Sequence, residues 1–384
     1  MKKHLFYAGL AALSLASCSQ DETTSVDQSG AIGFRTALDK ATRSVTTKAN
    51  MGSFNVTAFK ADNTAANYFT NLEVKSTDSG NTWNTTKTYY WPAYDLKFTA
   101  YAPTTPGGTV TINKDGQKIT DFQPESSIKQ QKDVVVAFNQ GGKTAYGASG
   151  VPMYFKHILS QIEVKAKCVN ENLVVKVVGV KLGNVLKKAT FTFPQTKTEA
   201  SVAVPFDNWA ATSEKTQFGV SDASKAVTLD TEAKSIMFDE TSDKTNNFLM
   251  IPQQLTAYDK NSHTDGAYIA VLCQISSKDG LSLTRLYPAE GDDAYAYSAV
   301  AINTKWEPGK KYIYTLTYGA GDGNGGGGIV PPNQDNPDPD NPVDPTEPQD
   351  PTPHNPGDPI LDAPIKFTVE EVEVWSNQEE ALSM

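Results

Sequence analysis

The chain has 384 residues, with 34 Lys and Arg against 44 Asp and Glu and a formal charge of -10. That balance repels nucleic acid and anionic membrane surfaces, so neither is expected as a partner, and the acidity serves solubility. The length admits two domains, and 3 cysteines are too few for a disulfide framework.

At the start, Lys2 and Lys3 precede an apolar stretch, Leu5 to Leu15, too short to span a bilayer, and Leu15-Ala16-Ser17-Cys18 follows. This is the pattern of a lipobox. Small side chains at Ala16 and Ser17 admit a signal peptidase to the backbone, and the Cys18 sulfur is positioned for acylation. Residues 1–17 are therefore expected to be a lipoprotein signal peptide and Cys18 the lipidated residue of a precursor, with outer-membrane lipid as its partner. Ile32-Gly33-Phe34-Arg35-Thr36-Ala37-Leu38 then alternates, which predicts a first strand with Ile32, Phe34 and Leu38 on one face. The polar stretch Ala41 to Lys48 contains Arg43, a candidate cleavage site before Ser44, so residues 18–43 are expected to form a lipidated propeptide that carries the first strand.

The body of the chain reads as short strands. Phe54 to Phe59, Leu96 to Tyr101 and Val134 to Phe138 are rich in β-branched and aromatic residues, and turn chemistry separates them at Pro103, Pro106-Gly107-Gly108, Lys114-Asp115-Gly116 and Gly141-Gly142. These predict a first β-sandwich over 44–150. Ile162 to Ala166, Val174 to Val180, Phe191 to Phe193, Phe248 to Ile251, Ala267 to Ile275 and Tyr312 to Leu316 predict a second over 151–318, with the polar stretch Ser213 to Thr241 expected to hold loops. Cys168 and Cys273 sit among strand residues, where a small buried hydrophobe is the common role. Trp91-Pro92 reads as a strand entry, Trp306-Glu307-Pro308-Gly309 as a tight turn that aims the following strand, and His157 as a hydrogen-bonded structural histidine.

Composition changes at Gly319. Gly319 to Gly328 is a glycine tract and Pro331 to Pro359 a proline and aspartate run, so residues 319–363 form a flexible linker. Residues 364–384 become strand-like again, with Ile365, Phe367 and Val369 on one parity and Val372 and Val374 on the other, which suggests a bulge near Glu370 and Glu371. A lone strand on a long tether cannot bury its apolar face by itself. It shares Ile-x-Phe with Ile32-Gly33-Phe34. Two readings stand: Ile365 to Val374 is a donor strand for a groove vacated by Ile32 to Leu38 in another molecule, or it folds back on its own domain.

The chemistry of an enzyme is not apparent: there is no HExxH, CxxC pair, Walker loop or nucleophile elbow, and no metal or cofactor is expected. Prolines between Asp335 and Asp350 oppose a calcium loop. Tyr287, Tyr295 and Tyr297 beside Asp292 and Asp293 leave a glycan-binding loop as a rival use.

Several of these segments together resemble the Bacteroidales fimbrillins and fimbrillin-like lipoproteins. They are the lipobox at Cys18 with the acidic Ser19-Gln20-Asp21-Glu22 behind it, the early strand followed by Arg43, Tyr90-Trp91-Pro92-Ala93-Tyr94-Asp95-Leu96-Lys97-Phe98, Tyr154-Phe155-Lys156-His157-Ile158, Trp306-Glu307-Pro308-Gly309-Lys310, and the terminal Ile365-x-Phe-x-Val. The resemblance implies an all-β chain of two tandem transthyretin-like Greek-key β-sandwich domains, export as a surface lipoprotein, cleavage after Arg43 that removes the first strand, and polymerisation with other fimbrial subunits through the C-terminal strand. A host or bacterial surface receptor would be a further partner. The long Pro and Asp linker departs from a compact stalk subunit, which leaves a tip or accessory subunit, or a monomeric surface lipoprotein that binds glycan or host ligand, as alternatives.

Overall fold

The computed structural model describes residues 30–38, 46–238, 247–288, 295–319 and 366–372. Cys18, Arg43, Asp292, Asp293, the linker residues 320–363, Ile365 and Val374 lie outside them. The described chain is all-β, and its strands build two pairs of packed sheets.

The first pair contains a seven-stranded sheet made of β1 (Phe34–Leu38), β2 (Ser53–Lys60), β3 (Asn67–Lys75), β4 (Asn84–Thr85), β5 (Leu96–Ala102), β8 (Val135–Gly141) and β9 (Val151–His157). Its spatial order is β1-β9-β8-β5-β2-β3-β4. Period-two alternation decides what each face carries. Phe54, Val56 and Ala58 of β2 and Leu96, Phe98 and Ala100 of β5 join one core with Val151, Met153 and Phe155 of β9. Phe59 and Tyr101, of opposite parity, join a second core with Ile119, Phe122, Phe191 and Trp209. The latter four belong to a four-stranded sheet of β6 (Thr109–Ile112), β7 (Gln117–Phe122), β12 (Ala189–Thr192) and β13 (Trp209–Ala211). The β6–β7 hairpin turns at the expected Lys114-Asp115-Gly116, where Asn113 N–H donates to the Gly116 carbonyl at 2.9 Å.

The second pair sets β10 (Ser160–Cys168), β16 (Lys234–Ser235), β17 (Phe248–Met250), β23 (Lys311–Tyr318) and β24 (Lys366–Val372) against β11 (Leu173–Leu186), β14 (Lys215–Ser221), β15 (Val227–Thr228), β19 (Tyr268–Asp279), β20 (Ser282–Tyr287) and β21 (Ala296–Ala301). A separate two-stranded ladder joins β18 (Gln253–Gln254) to β22 (Lys305–Trp306). Ile162 and Val164, Tyr312 and Tyr314, and Val271 and Cys273 meet in one core. In β11 the register slips between Val177 and Gly179. That bulge lets Val175 and Val177 hand over to Val180 and Leu182 while all four stay in the core. A Cβ on Gly179 would stand 2.8 Å from that of Ser221, so glycine is required where β14 approaches.

Three expectations are revised. The hydrogen bonds do not divide the chain at 150 and 151: β9 pairs with β1 and β8, and β12 returns after residue 188 to pair with β7. The physical reason is that β9 offers Val151, Met153 and Phe155 to the first core and only Ile158 and Leu159 separate it from β10. Ser213 to Thr241 is not all loop, because Lys215–Ser221 is an edge strand on β11, where one face is free to be polar. The bulge at Glu370 and Glu371 is absent, since β24 pairs continuously through both. Both described cysteines are buried and free, as their strand context implied.

Candidate functional site

The site of interest is the seat of the first strand. β1 runs parallel to β9, with Phe34 opposite Val151 and Leu38 opposite Phe155. Just before it, the chain is gripped on both sides. Ile32 N–H donates to the Tyr89 carbonyl at 2.8 Å and Trp91 N–H to the Gly30 carbonyl at 2.9 Å, while Val151 N–H donates to the Gly33 carbonyl at 2.8 Å. Tyr89 to Trp91 thus act as a clip, and the clip is itself held: the Tyr68 hydroxyl donates to the Tyr90 carbonyl at 2.7 Å, and the Trp91 ring meets Phe98 edge-on at 5.9 Å. Burial, with Tyr94 and Tyr89 close by, raises the Tyr68 phenol above its ordinary range.

Inward from this frame the strand is deeply seated. Ile32, Phe34 and Leu38 are 4%, 7% and 5% exposed, and all three belong to the core on that face of the sheet. The Phe34 ring stands edge-on to Phe54 at 6.1 Å and to Phe98 at 6.0 Å, and Phe54 in turn meets Phe155 at 5.0 Å. Burying three such side chains contributes on the order of 6 kcal/mol at about 2 kcal/mol each. Removal of β1 would leave the outer edge of β9 unpaired and three apolar pockets empty, and both defects invite a replacement strand.

The exit of β1 is positioned as firmly. Thr46 N–H donates to Asp133 Oδ2 at 3.0 Å, and His157 Nδ1 lies 2.7 Å from the same oxygen. Both side chains of the Asp133–His157 pair are 1% exposed. His157 ends β9, so Leu38 and Thr46, which flank the candidate cut at Arg43, are both fixed at the same end of that strand. His157 is accordingly the structural residue its sequence context suggested.

The C-terminal strand is seated elsewhere. Lys366–Val372 adds antiparallel to β23 at the edge of the second sheet pair, with Phe367 opposite Leu316 and Val369 opposite Tyr314. Leu316 and Tyr314 are the core-facing residues of β23. Val372 stands opposite Lys311. Sequence reasoning found both strands and, as one of its two readings, a tail that folds back on its own domain, but not the edge that the tail takes. It missed the Tyr89 to Trp91 clip, which bonds without forming a long strand, and the Asp133–His157 brace, which joins residues 24 apart. The only signal for the clip was the aromatic run itself. Tyr287 serves packing: it is buried, and its hydroxyl donates to the Tyr297 carbonyl at 2.7 Å. Among the described residues there is no cluster able to hold a metal ion, and no helix long and apolar enough to cross a membrane.

Comparison with known proteins gives three findings. A family model described as fimbrillin-like matches residues 40–331. A fimbrial protein of Bacteroides vulgatus is 17% identical, with 75% of this chain and 95% of that one covered at a TM-score of 0.47. A candidate cell adhesion protein of Bacteroides uniformis is 14% identical, with 90% and 98% covered at a TM-score of 0.44. No curated protein matches the chain.

Proposed function

The chain belongs to the fimbrillin-like family, and from that premise we propose that it is a structural subunit of a cell-surface fimbrium, made as a lipoprotein precursor and assembled by strand exchange. Cys18 carries the lipid. Cleavage after Arg43 frees residues 18–43, and with them the covalent hold on β1. The C-terminal strand of one molecule then takes the place of β1 in the next, and the fibre supports adhesion. No catalytic chemistry is required of it.

The observation that carries this reading is the seat of β1. An edge strand that fills three pockets yet is held by one ladder on β9 and the two bonds of the Tyr89 to Trp91 clip is separable from the sheet in a way that a central strand is not. The tail repeats its Ile-x-Phe, so laid parallel in the same register Ile365 meets the Ile32 pocket, Phe367 the aromatic seat of Phe34 between Phe54 and Phe98, and Val369 the position of Thr36. Glu371 would then fall at the Leu38 pocket. The strand must leave the groove or shift its parity there, which brings Val372 and Val374 into use.

Mass spectrometry of the surface-exposed protein tests the processing step. A mature N-terminus at Ser44 supports it, and an N-terminus fixed at acylated Cys18 contradicts it. Deletion of Ile365 to Met384 tests the exchange step: polymer ladders formed after Arg-specific proteolysis should vanish, and their survival would sink it.

A further inference from the structure

The edge of β23 combines a regular strand contact with an unusually long connection. β24 covers Lys311 to Thr317 with no break in register, while β10 holds the opposite side of β23 from Gln161 to Cys168. Thr317 stands opposite Lys366, so the strand ends to be joined lie side by side, a gap that a two-residue turn closes in an ordinary hairpin. The chain instead places residues 320–365, 46 positions rich in Gly, Pro and Asp, between them. Closing so long a loop in place of a four-residue one lowers the local concentration of the tail at its own edge by roughly 40-fold. Proline-rich stretches favour extension and lower it further. The contacts between tail and β23 are the same whichever molecule supplies the tail. A second copy therefore competes with the chain's own strand at concentrations of about a millimolar, the range set by flexible tethers.

We propose that the β23 edge is a strand-exchange site between copies of this chain. In the uncut protein, where β1 still fills the first groove, two copies trade Lys366–Val372 reciprocally and form a two-fold dimer in which each β23 is covered by the tail of the other. The exchange goes beyond the fibre reading and does not depend on cleavage. It gives the long linker a use and leaves neither a sheet edge nor an apolar tail open to indiscriminate pairing.

Single cysteines at opposed positions test this. Thr315 and Thr368 are register partners, and opposed residues of an antiparallel pair stand within disulfide reach. Thr315→Cys and Thr368→Cys chains, each also carrying Cys18→Ser and left uncut, are mixed at about a millimolar, incubated to exchange and oxidised. The expected product is a mixed dimer joined between positions 315 and 368, with a yield that rises with concentration. Deleting residues 320–355 leaves ten linker residues and should lower that yield by about tenfold, because the chain's own tail returns more readily. The proposal is overturned if the mixed dimer is absent at every concentration while the double Thr315→Cys, Thr368→Cys chain closes within itself. It is equally overturned if neither disulfide forms, since the tail then does not occupy β23. Failure of the fibre reading would show separately, as absence of polymer after Arg-specific cleavage.

Discussion

Replacing Phe34 with alanine tests how the first strand is held. Phe34 is 7% exposed and makes edge-on contacts with Phe54 and Phe98, so Phe34→Ala removes a buried ring and leaves a cavity. Such changes cost about 3–5 kcal/mol in a well-packed core. Because β1 is an edge strand, the loss should appear as release of the strand before global unfolding. Native-state hydrogen exchange reads this directly. The Val151 N–H, bonded to the Gly33 carbonyl, and the Ile32 N–H, bonded to the Tyr89 carbonyl, report on the seat, whereas the Val180 amide, in the β11–β19 ladder, reports on the other sheet pair. At about 1.4 kcal/mol per factor of ten, the first two should exchange roughly 100-fold faster or more in the variant. The Val180 amide should change little. Equal acceleration at Val180 would refute the account, since β1 would then open only with the whole molecule; exchange at Val151 and Ile32 within about threefold of the parent would refute it too, since the Phe34 ring would then not hold the strand.

Other consequences follow from the same contacts. His157→Ala deprives Asp133 of its ring partner inside the protein and should cost about 2–3 kcal/mol in urea unfolding, with faster exchange at the Thr46 amide; a loss under about 0.5 kcal/mol would contradict the brace. Asp78 accepts from the Thr82 amide and hydroxyl and from the Ser76 hydroxyl, which lowers its carboxyl from 3.8 to about 2. A depressed folded value stabilises above the free value and is lost as pH falls through the folded one, so the stability gap between the parent and Asp78→Asn should close from about pH 4 down to about pH 2. A gap unchanged across that window would contradict it. Burial pushes the Cys273 thiol up to about 11, so it should resist iodoacetamide at pH 8 until the chain unfolds; rapid labelling of the folded protein would show the site to be open.

The strands that were legible in the sequence are those with an unbroken pattern and a turn at each end. β2 and β5 alternate, β8 opens as a continuous apolar run buried on both faces, and β23 places Tyr312, Tyr314, Leu316 and Tyr318 on one face. β14 was hidden because Lys215, Thr216 and Gln217 open it and its apolar residues come late. The division of sheets was hidden for a different reason: it depends on which core a strand enters, and β9 and β12 carry apolar residues that suit either. The seat of β1 shows the same limit. Ile32, Phe34 and Leu38 announced a strand with one buried face, but the clip at Tyr89 to Trp91 and the brace at Asp133 are contacts across the chain that leave no periodic trace. The tail announced a strand as well, yet a seven-residue strand on a 46-residue tether fits any open edge of suitable parity.

The measurement that bears most directly on strand exchange is a side-chain-resolution structure of the fibre assembled after Arg-specific cleavage. The account predicts that the strand beside Val151 to Phe155 is the C-terminal strand of the neighbouring subunit, with Phe367 between Phe54 and Phe98. Finding Ile32 to Leu38 still in that seat within the assembled fibre would contradict it.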